Sequence, residues 1–194
     1  HAGLISRTNE FESHSCYMNK TKIEWTNYSW NPITGCKHGC WYCYANKLFT
    51  RFHKSFEPTF YPERLNELDK IKKPAKIFVC SVADLFAPWT PPEWRDDVLR
   101  QIINPKYRSL TFQLLTKNPE NIPWWVYGKN IWLGTTINFE GEMTKAYDLI
   151  KDRKGTKFLS FEPLLGPINI PIDVLERIQW IIIGKLTGSK RVKL

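Results

Sequence analysis

The sequence predicts an α/β protein in which strands alternate with helices. Three observations carry this. Six short β-favouring segments recur along the 194 residues, at 23–30, 77–82, 110–115, 131–137, 158–161 and 180–183. Helical patterns or proline-broken loops separate them, and such alternation implies parallel strands joined by right-handed crossovers. The strands are short and aliphatic, as in Ile181-Ile182-Ile183, which suits burial on both faces of a sheet. Alternation alone does not distinguish an open doubly wound sheet from a barrel. In either, the chemistry lies beyond the carboxyl ends of the strands.

Each element has its own signal. Residues 23–30 mix apolar and β-favouring side chains until Asn31-Pro32 and Gly35 break the run. A cysteine-rich loop follows, then a predicted helix over 44–52. Residues 53–75 are irregular, although 62–72 can form a helix with Pro62 in its first turn. The strand 77–82 contains Cys80, read as a small buried hydrophobe. Thr90 is placed as an N-cap, with Pro91, Pro92 and Glu93 behind it. Trp94, Val98, Leu99 and Ile102 then recur at helical spacing. After strands 110–115 and 131–137, residues 141–152 read as a helix. A turn or two of helix at 172–178 precedes the last strand.

Composition removes several classes. Hydrophobic residues make up 42% and charged residues 24%, so the chain can build a core and is not a disordered polymer. No stretch approaches the roughly 18 unbroken apolar residues of a membrane helix. The first residues lack a secretion signal, so the expectation is a cytoplasmic protein without a membrane partner. Met18 looks like a natural start. Residues 1–17 are expected to be a disordered leader, and 18–184 the working domain. Net charge is +9. Arg7 against Glu10 and Glu12 makes the leader −1, and Lys185, Lys190, Arg191 and Lys193 make the tail +4. The +6 left in the body suits nucleic acid, another anionic partner, or a solvated basic surface.

The sharpest signal is Cys36-Lys-His-Gly-Cys40-Trp-Tyr-Cys43, three of the five cysteines at C-x3-C-x2-C spacing. An odd, tight cluster argues against a disulfide framework. Metal binding is the natural reading. Structural zinc wants four ligands and usually two pairs; His38, His53 or Cys16 would have to supply the fourth beside these three thiolates. A [4Fe–4S] cluster is the better fit, because three thiolates bind three irons and leave the fourth open.

This block, with Tyr42 before its last cysteine, resembles the signature of the radical S-adenosylmethionine (SAM) superfamily. Lys22-Ile-Glu-Trp25-Thr, Trp30-Asn31-Pro32-Ile-Thr-Gly35-Cys36, Cys43-Tyr44-Ala45, Leu115-Thr116-Lys117, Phe161-Glu162-Pro163-Leu164 and Trp180-Ile-Ile-Ile-Gly184 together resemble a phage-associated family of unknown function, the bacteriophage gp thirty-seven/sixty-eight family. The resemblance implies a partial (β/α)6 barrel, TIM-like and of radical SAM type, and the six segments match that count. It implies that Cys36, Cys40 and Cys43 hold a [4Fe–4S] cluster. The open iron would bind SAM, which is cleaved reductively to a 5′-deoxyadenosyl radical. Tyr42 would lie against the adenine. A reductant of flavodoxin or ferredoxin type is expected, and the substrate class tilts towards a nucleotide or nucleic acid.

Residues after the other strands are the remaining candidates. The superfamily often carries Gly-Gly-Glu after the second strand; here Ser81-Val-Ala-Asp84 stands instead. Ser81 or Asp84 would accept from the SAM ammonium, unless Asp84 simply caps the turn. Lys117 suits the SAM carboxylate or an anionic substrate, or is solvated. Thr135, Thr136 and Asn138 suit ribose hydroxyls, although threonine also favours strands. Glu162, between Phe161 and Pro163, reads as a buried carboxylate that contacts ligand or substrate, or forms a salt bridge. Gly35 and Gly39 would let backbone amides approach the cluster. Where family members continue with Gly-Gly-Glu-Ser-Gly, this chain has Gly184-Lys185-Leu-Thr-Gly188. Its end, 185–194, therefore reads as truncated or frame-shifted. Two other functions compete: a non-catalytic zinc or iron–sulfur protein that binds nucleic acid, and an inactive family member.

Overall fold

The structure is a computed structural model and describes residues 18–151 and 154–186. The leader 1–17 with Cys16, and the tail from 187 onward, lie outside the described residues. Among the described residues nine strands form: β1 (Asn19–Lys20), β2 (Tyr28–Trp30), β3 (Ile33–Thr34), β4 (Thr59–Phe60), β5 (Ala75–Val79), β6 (Leu110–Thr116), β7 (Ile131–Thr136), β8 (Thr156–Phe161) and β9 (Trp180–Ile183). The α-helices are α1 (Tyr44–Arg51), α2 (Pro92–Ile102), α3 (Thr144–Ile150) and α4 (Ile172–Leu175). Seven strands make one mostly parallel sheet in the order β1-β2-β5-β6-β7-β8-β9, and β3 pairs with β4 apart from it. Setting β1 aside, six strands remain in that sheet, as the segment count anticipates. Among the described residues the order runs from β1 to β9, and no pairing joins its two ends.

The chain divides into two units, with the division falling inside β6. Of the described residues, the first holds 18–85 and 89–112. Within it β2 runs parallel to β5, with Trp30 beside Val79, and β1 lies antiparallel to β2. Trp30 is fully buried and tilts against Phe112 at 6.4 Å. Its indole Nε1 donates to Arg64 O at 2.8 Å. Arg64 is itself buried, stacks on the Tyr61 ring and donates to Asn31 O, so one inward cation ties the chain before the cysteine loop to the 3-10 helix Pro62–Lys70. Val98, Leu99 and Ile102 of α2 are buried, as their spacing predicts.

Of the described residues, the second unit holds 86–88, 113–151 and 154–186. Here β7, β8 and β9 are parallel, with Gly134 opposite Phe158 and Phe158 opposite Trp180. The Phe158 ring fills the space above Gly134, where a Cβ would sit 2.4 Å from it. Trp132 and Trp180 meet edge to face at 5.7 Å on the same side of the sheet.

Several expected boundaries shift. Residues 23–27 form a turn and not a strand, because Thr26 and Asn27 bond to the backbone of Lys76. Trp25 therefore sits in that turn, half-buried against Phe78. The strand at 77–82 stops at Val79, since Cys80 takes φ +55° and turns the chain. Cys80 is nonetheless buried. Thr90 does not cap α2: its hydroxyl donates to Asp84 O, and Pro91 takes the cap position without a side-chain bond. The helix at 62–72 is a 3-10 helix, with Pro62 first as expected. The helix at 141–152 begins as a 3-10 turn, Glu140–Glu142. The two-residue strands β1, β3 and β4 carry no periodicity to read.

Candidate metal centre and strand-end residues

In the first unit the cysteine loop begins two residues after β3 and ends at α1. Gly35 is required where it stands. Its φ is +86°, and a Cβ there would lie 2.2 Å from Glu57 O, a backbone atom. Its N–H donates to Val82 O and the Cys36 N–H to Phe56 O, so these amides hold the loop to its neighbours and are not spare donors for a cluster. Gly39 also has positive φ, +64°, but faces open space.

Cys36, Cys40 and Cys43 are all free thiols and all partly exposed. Cys43 is the N-cap of α1, and its sulfur accepts from Asn46 N at 3.4 Å. Burial pushes the Cys36 thiol up to about 11; the His38 backbone N–H opposes this, and Asp84 and the other two cysteines add to it. Only a bound cation would make that thiol a ligand at neutral pH. Helix α1 is held by Ala45 and Phe49 against Val82, with Cys43 packed alongside.

His38 is engaged by a carboxylate and a ring. Its Nε2 lies 2.9 Å from Asp84 Oδ2, and its ring meets Trp89 edge to face at 4.7 Å. Asp84 is 5% exposed. Sequence reasoning missed this pair, whose members are 46 residues apart. Ser81 Oγ donates to buried Asn31 at 3.1 Å, and Ser81 O accepts from the Tyr44 hydroxyl at 2.6 Å. Tyr42 is half-buried and meets Trp41 edge to face. Thus Cys36, Cys40, Cys43, Tyr42, Ser81 and Asp84 all belong to the first unit.

Among the described residues, no three His, Cys, Asp or Glu side chains converge tightly enough for one metal ion. Thiolates around a single zinc stand about 3.8 Å apart, from tetrahedral geometry and bonds near 2.3 Å. A four-iron cluster spreads its thiolates wider. The donor set is three free thiols on one loop, with His38 engaged by Asp84; thiolates are the ligands an iron–sulfur cluster takes.

The other candidates lie in the second unit. Lys117 Nζ donates to Asn138 Oδ1 at 2.7 Å, Asn138 Nδ2 to Pro163 O at 2.8 Å, and Asn138 N to Glu142 Oε2 at 2.7 Å. Burial raises the Glu142 carboxyl, but its Lys145 ion pair and the Asn138 N–H outweigh this and hold it low. Thr135 is fully buried and donates to Thr116 O. Thr136 follows it and faces the opposite side of the sheet, so the two hydroxyls do not share a face. Thr136 pairs in register with Ser160, whose buried Oγ has no hydrogen-bond partner. Glu162 departs from expectation in its surroundings: it is exposed, one residue past the end of β8, and its bond to Pro163 is cis. Its carboxylate lies over Gly184, where a Cβ would be 2.3 Å from Oε1.

The strand order defines an α/β protein built on a mostly parallel sheet. Spore photoproduct lyase, solved with dinucleoside spore photoproduct, has a similar fold: TM-score 0.57, 13% identity, covering 77% of this chain and 48% of that one. A second structure, a variant with bound AdoMet and the same dinucleoside, gives TM-score 0.54 at 12% identity. This chain spans about half the length of those proteins, 48–49%. No curated protein matches it in sequence. The chain belongs to the family described as "Protein of unknown function (DUF5131)", matched over residues 20–194. No helix among the described residues is long and apolar enough to cross a membrane.

Proposed function

We propose that this protein is a cytoplasmic, phage-associated radical SAM enzyme acting on a nucleotide or nucleic-acid substrate. The observation that carries the reading is the loop of three partly exposed thiols ending at the N-terminus of α1, in a chain whose fold is similar to that of spore photoproduct lyase. Cys36, Cys40 and Cys43 would hold a [4Fe–4S] cluster. Once bound and reduced by a flavodoxin- or ferredoxin-type donor, the cluster supplies an electron to the sulfonium of SAM. The chain's own residues position and exclude. Tyr42 offers its ring to the adenine. Ser81 and Asp84 offer acceptors to the ammonium. The His38–Asp84 bond holds the middle of the loop in place. In the second unit, Lys117 offers a cation to a carboxylate or anionic substrate, Thr135, Thr136 and Asn138 offer polar groups to ribose, and Glu162 offers an exposed carboxylate to substrate. The substrate class is supported by the dinucleoside bound to the similar structures.

The test is anaerobic reconstitution with iron and sulfide. Iron, sulfide and 5′-deoxyadenosine are measured after adding SAM and dithionite, beside a Cys40→Ala control. Cluster and deoxyadenosine are both expected, and both should be lost in the control. Protein that retains zinc and takes up no iron would overturn the reading.

A further inference from the structure

The first unit carries a second feature that the cysteine loop does not use. At the amino-terminal ends of β2 and β5 lies an open groove of about 510 Å³. Lys20, Lys70, Lys72 and Lys73 line it, with Asn27 and Tyr28 among the residues between them, and no carboxylate does. All four lysines are exposed. Among the described residues, Lys20 and Lys73 have no ion-pair partner. Lys70 reaches only Glu67 at 3.6 Å, with its own side chain 68% exposed. Lys72 feels Asp69, but that carboxylate is already held by Lys106 and Tyr107.

Four like charges around one depression repel one another, and nothing in the groove offsets them. A concave, singly charged surface focuses potential and raises the local concentration of polyanions. The half-buried Tyr28 adds an aromatic ring beside the lysines, and Asn27 a polar amide. Four lysines beside an aromatic residue suit a chain of phosphates carrying flat bases. The cysteine loop follows the carboxyl ends of the strands, whereas this groove sits at their starts.

We infer that this groove binds the phosphate backbone of a single-stranded nucleic acid, as a surface separate from the cysteine loop. The inference deepens the nucleic-acid part of the proposed function, but rests on charge and shape alone. Its failure would leave the reconstitution assay untouched, and the reverse holds too.

The experiment measures anisotropy of a fluorescein-labelled single-stranded oligonucleotide on the full chain across a salt series. Wild type is compared with K20A/K70A/K72A/K73A and with a charge-matched control outside the groove, K47A/K129A/K151A/K154A. Single-strand binding loses about 0.7 of a unit of log–log salt slope per phosphate contact, so removing four contacts should flatten the slope by about 2–3. Affinity at low salt should fall by roughly tenfold or more, and the control should change far less. In the wild-type chain, the oligonucleotide should protect these four lysines from acetylation, read by mass spectrometry. Equal losses in both variants would overturn the inference, as would unprotected groove lysines. Binding to anionic phosphatidylserine vesicles but not to the oligonucleotide would also overturn it. So would displacement of the oligonucleotide by inorganic phosphate at constant ionic strength.

Discussion

Replacing Gly35 by alanine tests whether the cysteine loop is held by a close backbone approach. The new Cβ would lie 2.2 Å from Glu57 O, 2.5 Å from Glu57 C and 2.6 Å from Phe56 O. These are backbone atoms on the strand-side neighbour of the loop, and they cannot rotate away. The residue would also have to hold φ +86°, which costs an L-residue about 1–2 kcal/mol. Displacing packed backbone adds about 1–3 kcal/mol. Gly35→Ala should therefore lose about 2–5 kcal/mol. Gly39→Ala is the internal control. It meets the same left-handed requirement, φ +64°, but has nothing within 4 Å. With strain alone, its loss should be about 1–2 kcal/mol, the same as the strain share at Gly35. Urea unfolding followed by tryptophan fluorescence measures both. Equal losses for the two variants, within about 0.5 kcal/mol, would refute the reasoning. The Gly35 variant should also take up less iron on reconstitution, because Cys36 follows the displaced residue.

Three further outcomes follow from the structure. Burial, then the hydrogen bond to Asp69, pushes the Tyr107 hydroxyl up to about 12 from 10. A raised folded-state value means this contribution is present below pH 10 and is lost as pH climbs towards 12. Wild type should therefore lose stability across that window, and Tyr107→Phe should show a flatter alkaline profile in pH-dependent melts. In metal-free protein at pH 8, Cys36 should react with iodoacetamide about tenfold more slowly than a thiol of ordinary pKa, because the greater nucleophilicity of its thiolate partly offsets the smaller thiolate fraction. Its thiol lies near 11 against 9.0, and labelling followed by mass spectrometry reads the rate. Gly134→Ala should destabilise by about 1–3 kcal/mol, because its Cβ would enter the Phe158 ring. Adding Phe158→Leu should recover part of that loss in denaturant melts, and strict additivity of the two changes would count against the contact.

Local chemistry and short spacing were enough to read part of this protein from its residues. The three thiols lie within eight residues, so their shared loop was legible without a fold. The strands β6 to β9 were legible because each is an apolar run bounded by turn residues. The buried face of α2 followed from Val98, Leu99 and Ile102 at helical spacing. The rest waited on the fold, because it depends on partners distant in the chain. Thr90 looked like a cap, yet its hydroxyl found the Asp84 carbonyl. Glu162 looked buried between two apolar neighbours, yet one residue past the end of β8 it is exposed, over Gly184. His38 looked like a loop residue, and Asp84, 46 positions away, made it an anchor. Lys20, Lys70, Lys72 and Lys73 carry no shared motif. They become one charged groove only because β1 folds back on β2 beside the start of β5. Spacing records neighbours along the chain; hydrogen-bond partners and surface charge are set by neighbours across it.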